Sequence, residues 1–284
     1  VTGVQTCALP ILFSSYISLF FLLLLTSSVS CYEIGSPADL INFFDQQTAG
    51  PITEDIELTA DLDFSQSSPS RPFGSQFNGD CFEYSGVFHG NGHSIKGLSM
   101  DSTSNSRYKN AGLFCSLKDA TVENLVIESS CSFTGHYAGT LSVLVTGSLT
   151  VRNVTNKATV TGTLSSAGGF IGSTQKIKSG NVLFTNCSNE GNITLSKGYL
   201  GIGGFIGYVY NNENLNMGFY GCTNGGNITS SESQVGGFIG HTTGNENVSM
   251  SFSDCSNNGF ITSNGNEVGG FIGSFYDNKN MNII

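Results

Sequence analysis

The chain has 284 residues, with 21 Asp and Glu against 11 Lys and Arg, a formal charge of −10, 37 Gly, 21 Phe and no Trp. The acidic balance excludes the positive footprint that nucleic acid demands, and 38% apolar content excludes a chain too polar to fill a core. Glycine follows no three-residue period, which excludes collagen.

Residues 1–11, VTGVQTCALPI, resemble the in-frame translation of a sequencing-library adapter, so Cys7 is left out of the cysteine arithmetic. The uncharged apolar run Leu12–Leu25 leads into Thr26–Ser30, with small residues at 28 and 30. Residues 12–30 therefore read as the hydrophobic region and cleavage site of a secretory signal. A membrane span is the rival reading, but the run is shorter than the roughly 20 residues a bilayer needs. Cleavage after Ser30 leaves Cys31 first. Lipidation of Cys31 is the lesser alternative, because Ser28 stands where a bacterial lipoprotein signal carries a larger aliphatic residue. A membrane enters this reading only through that lipid or through an anchor outside the sequence.

Residues 31–65 read as an N-terminal cap. Ser36-Pro37-Ala38-Asp39 is a helix start, with Ser at the N-cap and Pro in the first turn. Leu40, Ile41 and Phe44 form an apolar stripe to about Asp45. After Gly50-Pro51, Ile56, Leu58, Ala60 and Leu62 alternate with polar residues as a half-buried strand.

Residues 66–284 carry internal repeats. The pentapeptide GGFIG starts at Gly168, Gly203, Gly236 and Gly269, at intervals of 35, 33 and 33 residues, with degenerate copies at Ala111–Phe114 and Ala138–Leu141. A second signature, CSNEGNIT at Cys187–Thr194, recurs from Cys222 and Cys255, always 15 steps after the last Gly of GGFIG. Val248, Met250 and Phe252 alternate with serines, as Leu215, Met217 and Phe219 alternate one unit earlier, a period-two strand pattern. Asn- and Gly-rich corners separate the strands. A unit of this length holds three short strands and three turns. The fold expected is all-β, a right-handed parallel β-helix of at least six coils capped at its open N-terminal end. A propeller blade is the runner-up, and it needs about 40 residues or more.

Stacked coils convert the repeat into columns: Asn156, Asn189, Asn224 and Asn257; Val160, Ile193, Ile228 and Ile261; Phe170, Phe205, Phe238 and Phe271; Cys187, Cys222 and Cys255. The repeat stops partway through a unit at Met281–Ile284, so the chain reads as a fragment at both ends. A continued unit would place an apolar residue 33 positions after Phe252 and Cys or Val 33 after Cys255.

The run FEYSGVFHGNGHSIKGL, Phe82–Leu98, resembles the opening that precedes GLUG repeats. Ala111–Phe114 with Val122–Val126, and then the GGFIG units, are similar to that family's follow-on and core. The sequence departs from it at His89, where the opening has Asp, at Cys115, where Gly is usual, and in its cysteine column. The resemblance spans about residues 36–284. It implies a secreted or cell-surface β-solenoid, of the kind found in adhesin-like proteins and sometimes beside peptidase domains. It implies no catalytic residue within the repeats.

Secretion would permit disulfides among the remaining seven cysteines. Cys31 with Cys81 is a candidate cap bridge, although sequence alone cannot fix connectivity. Cys187, Cys222 and Cys255 read as free or partly paired core thiols, because Val154 holds the equivalent slot one coil earlier. Asn153, Asn186, Asn192, Asn227 and Asn247 are N-x-S/T glycosylation candidates. His89 and His93 flank a Gly-rich corner that is read as a turn rather than as a metal pair, and no CxxC, HExxH, phosphate loop or nucleophile elbow is present. Glu213, Glu246 and Lys279 share a column placed on a turn.

The expectation is a non-enzymatic, extracellular, adhesin-like or matrix module without cofactor or metal, whose partners are extracellular proteins or glycans and not nucleic acid. A carbohydrate-active β-helix enzyme, and a stalk for a further domain, are the alternatives.

Overall fold

The computed structural model describes residues 5–6, 30–76, 80–104 and 109–284. The readings of 1–11 as adapter and 12–30 as signal therefore lie almost wholly outside the described residues. The rest winds into a parallel β-solenoid of about seven turns.

Each turn contributes to three sheets. The first runs in order through Ser30–Ile34, Asp55–Leu58, Val87–His89, Ala120–Ile127, Leu149–Asn156, Gly180–Thr185, Leu215–Tyr220 and Ser249–Ser253. The second joins Ser99–Asp101, Ser132–Gly139 and Thr159–Gly168. It then divides, because one end of Thr159–Gly168 pairs with Ile193–Leu195 and the other with Ile202–Gly203. The third stacks Phe114–Leu117, Ser142–Val145, Ile171–Gln175, Ile206–Tyr210, Ile239–Thr243 and Ile272–Tyr276. Pairing between coils is parallel and in register, so Val160, Ile193, Ile228 and Ile261 oppose one another in turn.

The N-terminal helix α1, Pro37–Asp45, begins at Ser36, whose hydroxyl accepts from the Asp39 amide (3.3 Å) and donates to the Asp39 carboxylate (2.8 Å). Its buried face is Leu40, Phe43 and Phe44; Ile41 is only half-buried, so Phe43 takes the place expected of Ile41. The Phe44 ring lies 5.0 Å from Phe73, 6.0 Å from Tyr84 and 5.9 Å from Phe114, which closes the apolar end of the core. Ser30–Ile34 pairs in parallel with Asp55–Leu58, and that strand with Val87–His89, so the strands beside α1 are continuous with the first sheet.

Two stacks of phenylalanine fill the core. Phe205–Phe238 and Phe238–Phe271 are nearly parallel at 4.6 and 4.8 Å. Phe184–Phe219 and Phe219–Phe252 repeat this at 5.3 and 5.0 Å. The stacks meet edge to face, as at Phe205–Phe219 (5.5 Å, 84°), so each ring presents its positive edge to a negative face.

The asparagine column interlocks with the GGFIG glycines. Asn156 Nδ2 donates to Asn189 Oδ1, Asn189 Nδ2 to Asn224 Oδ1 and Asn224 Nδ2 to Asn257 Oδ1, each at 2.7 Å. Asn156 also donates to the Gly169 carbonyl at 3.0 Å. A Cβ on Gly169 would lie 2.1 Å from the Gly204 carbonyl oxygen and 2.7 Å from Asn189 Oδ1, and one on Gly204 would meet Gly237 and Asn224 likewise. The second glycine of the first three pentapeptides is thus the space the asparagine ladder occupies. Asn156, Asn189 and Asn224 are fully buried.

A second ladder runs through Asn212, Asn245 and Asn278. Asn212 Nδ2 donates to Asn245 Oδ1 (3.0 Å) and Asn245 Nδ2 to Asn278 Oδ1 (2.8 Å). Oδ1 of Asn212 accepts the Ile177 amide at 3.0 Å. Each of these residues opens an Asn-x-Asn triplet, whose third member turns the corner with positive φ (Asn214 49°, Asn247 54°, Asn280 52°).

Replacing Asn224 by Ala breaks the ladder on both sides and orphans buried amides at about 1–3 kcal/mol each. Urea denaturation should show a loss of about 2–4 kcal/mol. Asn192→Ala, at an exposed corner, should stay within about 0.5 kcal/mol.

Candidate functional site

Ionisable side chains on the strands and at the corners bind to their neighbours along the axis. Glu123 meets His89 Nδ1 at 2.8 Å through one oxygen and Arg152 Nη2 at 2.6 Å through the other. Glu83 takes Lys118 Nζ at 3.0 Å and the Thr146 hydroxyl at 2.8 Å. Lys157–Glu128 and Lys178–Glu213 are further pairs between successive coils. His93 faces Asp61 at 3.4 Å, so the two histidines of the Gly-rich corner have different carboxylate partners. The backbones of Glu213, Glu246 and Lys279 pair in parallel at successive turns.

Asp61, Asp63 and Asp101 are held below the ordinary carboxylate range, first by the backbone amides of Ser94 and Ser65 for the two former and by the Thr103 hydroxyl for the last. A carboxylate lowered in this way stabilises the fold fully above its ordinary value of 3.8, and the contribution is lost as the pH falls through the lower folded value.

The cysteines depart from the expected bridge. Cys81 bonds to Cys115, with Cα atoms 5.5 Å apart, not to Cys31. The reason is positional. Cys31 lies on the first sheet opposite Asp55, whereas Cys115 lies on the third-sheet strand Phe114–Leu117, and Cys81 bridges to Ser75 beside it. Cys31 is itself disulfide-bonded. Its sulfur, Asp55 and His89 come within 4.8 Å of one another, but a disulfide sulfur is no thiolate ligand.

Cys187, Cys222 and Cys255 are free and stack in one column, with Cys187 and Cys222 buried and Cys255 partly so. The Cys222 sulfhydryl beside it, together with burial, keeps the Cys187 thiol protonated, and burial raises Cys255. Cys131 is buried too and is pushed up to about 11.

The five sequon asparagines are exposed but not equivalent. Asn153, Asn186 and Asn247 have positive φ, and their Nδ2 atoms donate to Asn124, Asn153 and Asn214 at 3.0, 3.4 and 3.3 Å. Asn192 and Asn227 instead accept at Oδ1, from the amides of Asn227 and Phe260 at 3.0 Å. Their Nδ2 atoms make no hydrogen bond among the described residues.

The third sheet carries a cluster that the sequence reading did not single out. Ser173, Tyr208, His241 and Ser274 oppose one another on successive coils, as do Gln175, Tyr210, Thr243 and Tyr276. Ile206 and Val209 both enter the core, so the strand's alternation breaks between them, and Tyr208 is buried without joining the continuous apolar cluster. Its ring is parallel to Tyr210 (5.3 Å) and to His241 (5.5 Å). The Tyr137 hydroxyl faces Ser165 and Gln175, with Tyr199 and Tyr210 close by. Burial lowers the His241 pKa, against the pull of the Glu267 carboxylate, and among the described residues His241 Nδ1 has no hydrogen-bond partner. The signal that could have found the cluster is Tyr-x-Tyr two residues past GGFI, where neighbouring coils have Ser or His.

No family model matches the chain. Halomucin of Haloquadratum walsbyi is 35% identical over 158 residues, which is 51% of this chain and 2% of that much longer protein. The crystal structure of a putative immunoglobulin A1 protease from Bacteroides ovatus superposes with a TM-score of 0.60 at 15% identity, covering 88% of this chain and 84% of that one. The structural likeness establishes the β-solenoid fold. Among the described residues no helix is long and apolar enough to cross a membrane.

Circular dichroism followed from pH 7 to pH 2 should show the melting temperature holding down to about pH 4 and then falling. Asp61→Asn should remove part of that fall; an unchanged profile would show that the Ser94 contact contributes nothing.

Proposed function

We propose that the chain is a secreted or cell-surface β-solenoid module, non-enzymatic and adhesin-like, which holds extracellular proteins or glycans against a rigid polar flank. One observation carries the reading: side chains that could do acid–base work are spent on holding coil to coil. Glu123 is divided between His89 and Arg152, and Glu83 between Lys118 and Thr146. A carboxylate committed to two axial partners is a structural tie rather than a poised acid or base. The likeness to halomucin, a mucin by name, supports an extracellular setting, as does the Cys81–Cys115 disulfide. The GLUG resemblance supports the same assignment. In a host that glycosylates N-x-S/T sites, Asn192 and Asn227 would be the favoured acceptors, because their amides are not tied into a ladder.

The likeness to a protease structure motivates the enzymatic alternative, in which this solenoid acts itself or carries a catalytic domain. The purified chain, incubated with immunoglobulin A1 and with neutral and acidic polysaccharides, should release neither fragments nor new reducing ends. Displayed on beads, it should be retained by surfaces coated with glycans or extracellular glycoproteins. Cleavage of any of these substrates would overturn the non-enzymatic reading.

A further inference from the structure

The outer flank of the third sheet concentrates aromatic rings and neutral hydrogen-bonding groups around one point. Tyr208 and His241 are each 6% exposed, yet neither ring belongs to the continuous core. Gly201, at a φ of 105°, brings the preceding corner against His241, where a Cβ would stand 2.8 Å from the His241 Cβ. Tyr199, on that corner, is 69% exposed. Tyr137 and Tyr210 are half-buried between the two. Most neighbouring coils carry small residues in these places, namely Ser173, Ser274 and Thr243. The aromatic residues thus differ from coil to coil between Tyr137 and His241 and are not required by the repeat.

We propose that Tyr137, Tyr208, Tyr210 and His241 form a binding site for a neutral oligosaccharide. This deepens the reading of the chain as a glycan-binding module and rests on it. Four features of the site select the ligand. The exposed Tyr199 ring and the half-buried Tyr137 and Tyr210 rings, backed by the stacked Tyr208 and His241, offer negative π-faces and edges to the weakly positive C–H groups of a pyranose. The hydroxyls of Tyr137, Ser165 and Tyr210 both donate and accept, as a ligand dense in hydroxyls requires. Among the described residues nothing bonds His241 Nδ1 although the residue is buried, and a buried polar atom without a partner is costly unless a ligand or water meets it. The Glu267 carboxylate bears on His241, and Lys176 lies beside Tyr210, in a chain of net charge −10, a balance that does not favour an anionic ligand.

The chain has no Trp but 10 Tyr, so the part of the tyrosine fluorescence change that Tyr208→Ser and Tyr210→Thr abolish reports on this cluster. The test titrates the purified chain with the hexaoses of cellulose, laminarin, chitin and mannan, with hexagalacturonate as the anionic comparator and a proline-rich peptide as the protein-type competitor. Saturation-transfer NMR gives a second readout. At least one neutral hexaose should bind, with contacts from its ring protons. Tyr208→Ser and His241→Ser place residues that adjacent coils already carry there, and Tyr210→Thr does the same, so the coils accept them. Each should weaken binding roughly tenfold or more, with an unchanged circular dichroism spectrum. Tyr220→Thr, on the first sheet, should leave binding as it was. Binding of a hexaose that all three substitutions leave intact would overturn this site while sparing the glycan-binding reading. Failure of every saccharide to bind would overturn this site and the glycan branch of the proposed function, leaving retention by extracellular proteins as its remaining test. Preference for hexagalacturonate or for the peptide would overturn the ligand class.

Discussion

A buried asparagine amide in this solenoid gives one N–H to a backbone carbonyl, and its second N–H is met because the next coil presents an asparagine at the same height. The carbonyl of Asn189 accepts from Asn156, and its amide donates to Asn224, so each residue both receives and passes on a hydrogen bond along the axis. A slip by one position would leave donors and acceptors unpaired in the core, at a cost that favours a single register. The glycine pair is the complement of this ladder, because a methyl group at Gly204 would meet both the Gly237 carbonyl and Asn224. Phenylalanine stacking adds attraction between coils, but rings slide over one another more readily than amides change partners. The ladder therefore sets the register, and the rings fill it.

That division of labour explains what could be read from the residues. A repeat that must stack writes the same residue at the same place in each coil, so the columns through Asn189, Phe205 and Cys222 were visible as recurrences. α1 was visible because Ser36 and Pro37 are local signals. The Asn212 ladder was less legible, since Asn-x-Asn at a corner has two readings. Both asparagines suit a tight turn by composition, and only the geometry shows that the first points inward while the third adopts positive φ. The Cys31–Cys81 pairing failed for a related reason. Neither cysteine belongs to a column, so nothing in the spacing says which sheet each one faces.

The tyrosine and histidine cluster was illegible for the opposite reason. Tyr208, Tyr210 and His241 interrupt their columns rather than continue them, and a search for sameness passes over what differs. In a fold whose stability comes from repetition, a bulky ring flanked by serines at equivalent positions is a departure that the scaffold does not need. The flank remains permissive there because the core is complete without it: Ile206 and Val209 supply the apolar contacts of that strand from the other side. The scaffold thus separates a conserved interior geometry from an exterior on which chemistry can vary coil by coil.

The same separation accounts for the electrostatics. A net acidic chain stacked at strand spacing brings like charges close together along a column, and the cross-coil pairs Glu123–Arg152, Glu128–Lys157 and Glu213–Lys178 relieve this repulsion. The central claim, equal axial spacing of equivalent residues, is most directly tested by double electron–electron resonance. Spin labels would be placed pairwise on the threonine column, at Thr134 with Thr229 and at Thr134 with Thr262, in a background whose free cysteines are replaced by valine or alanine. Register places these residues three and four coils apart, and the distances should lengthen by about 4.8 Å for the added coil. Distances that fail to increase with coil number, or that scatter over tens of ångströms, would contradict the account.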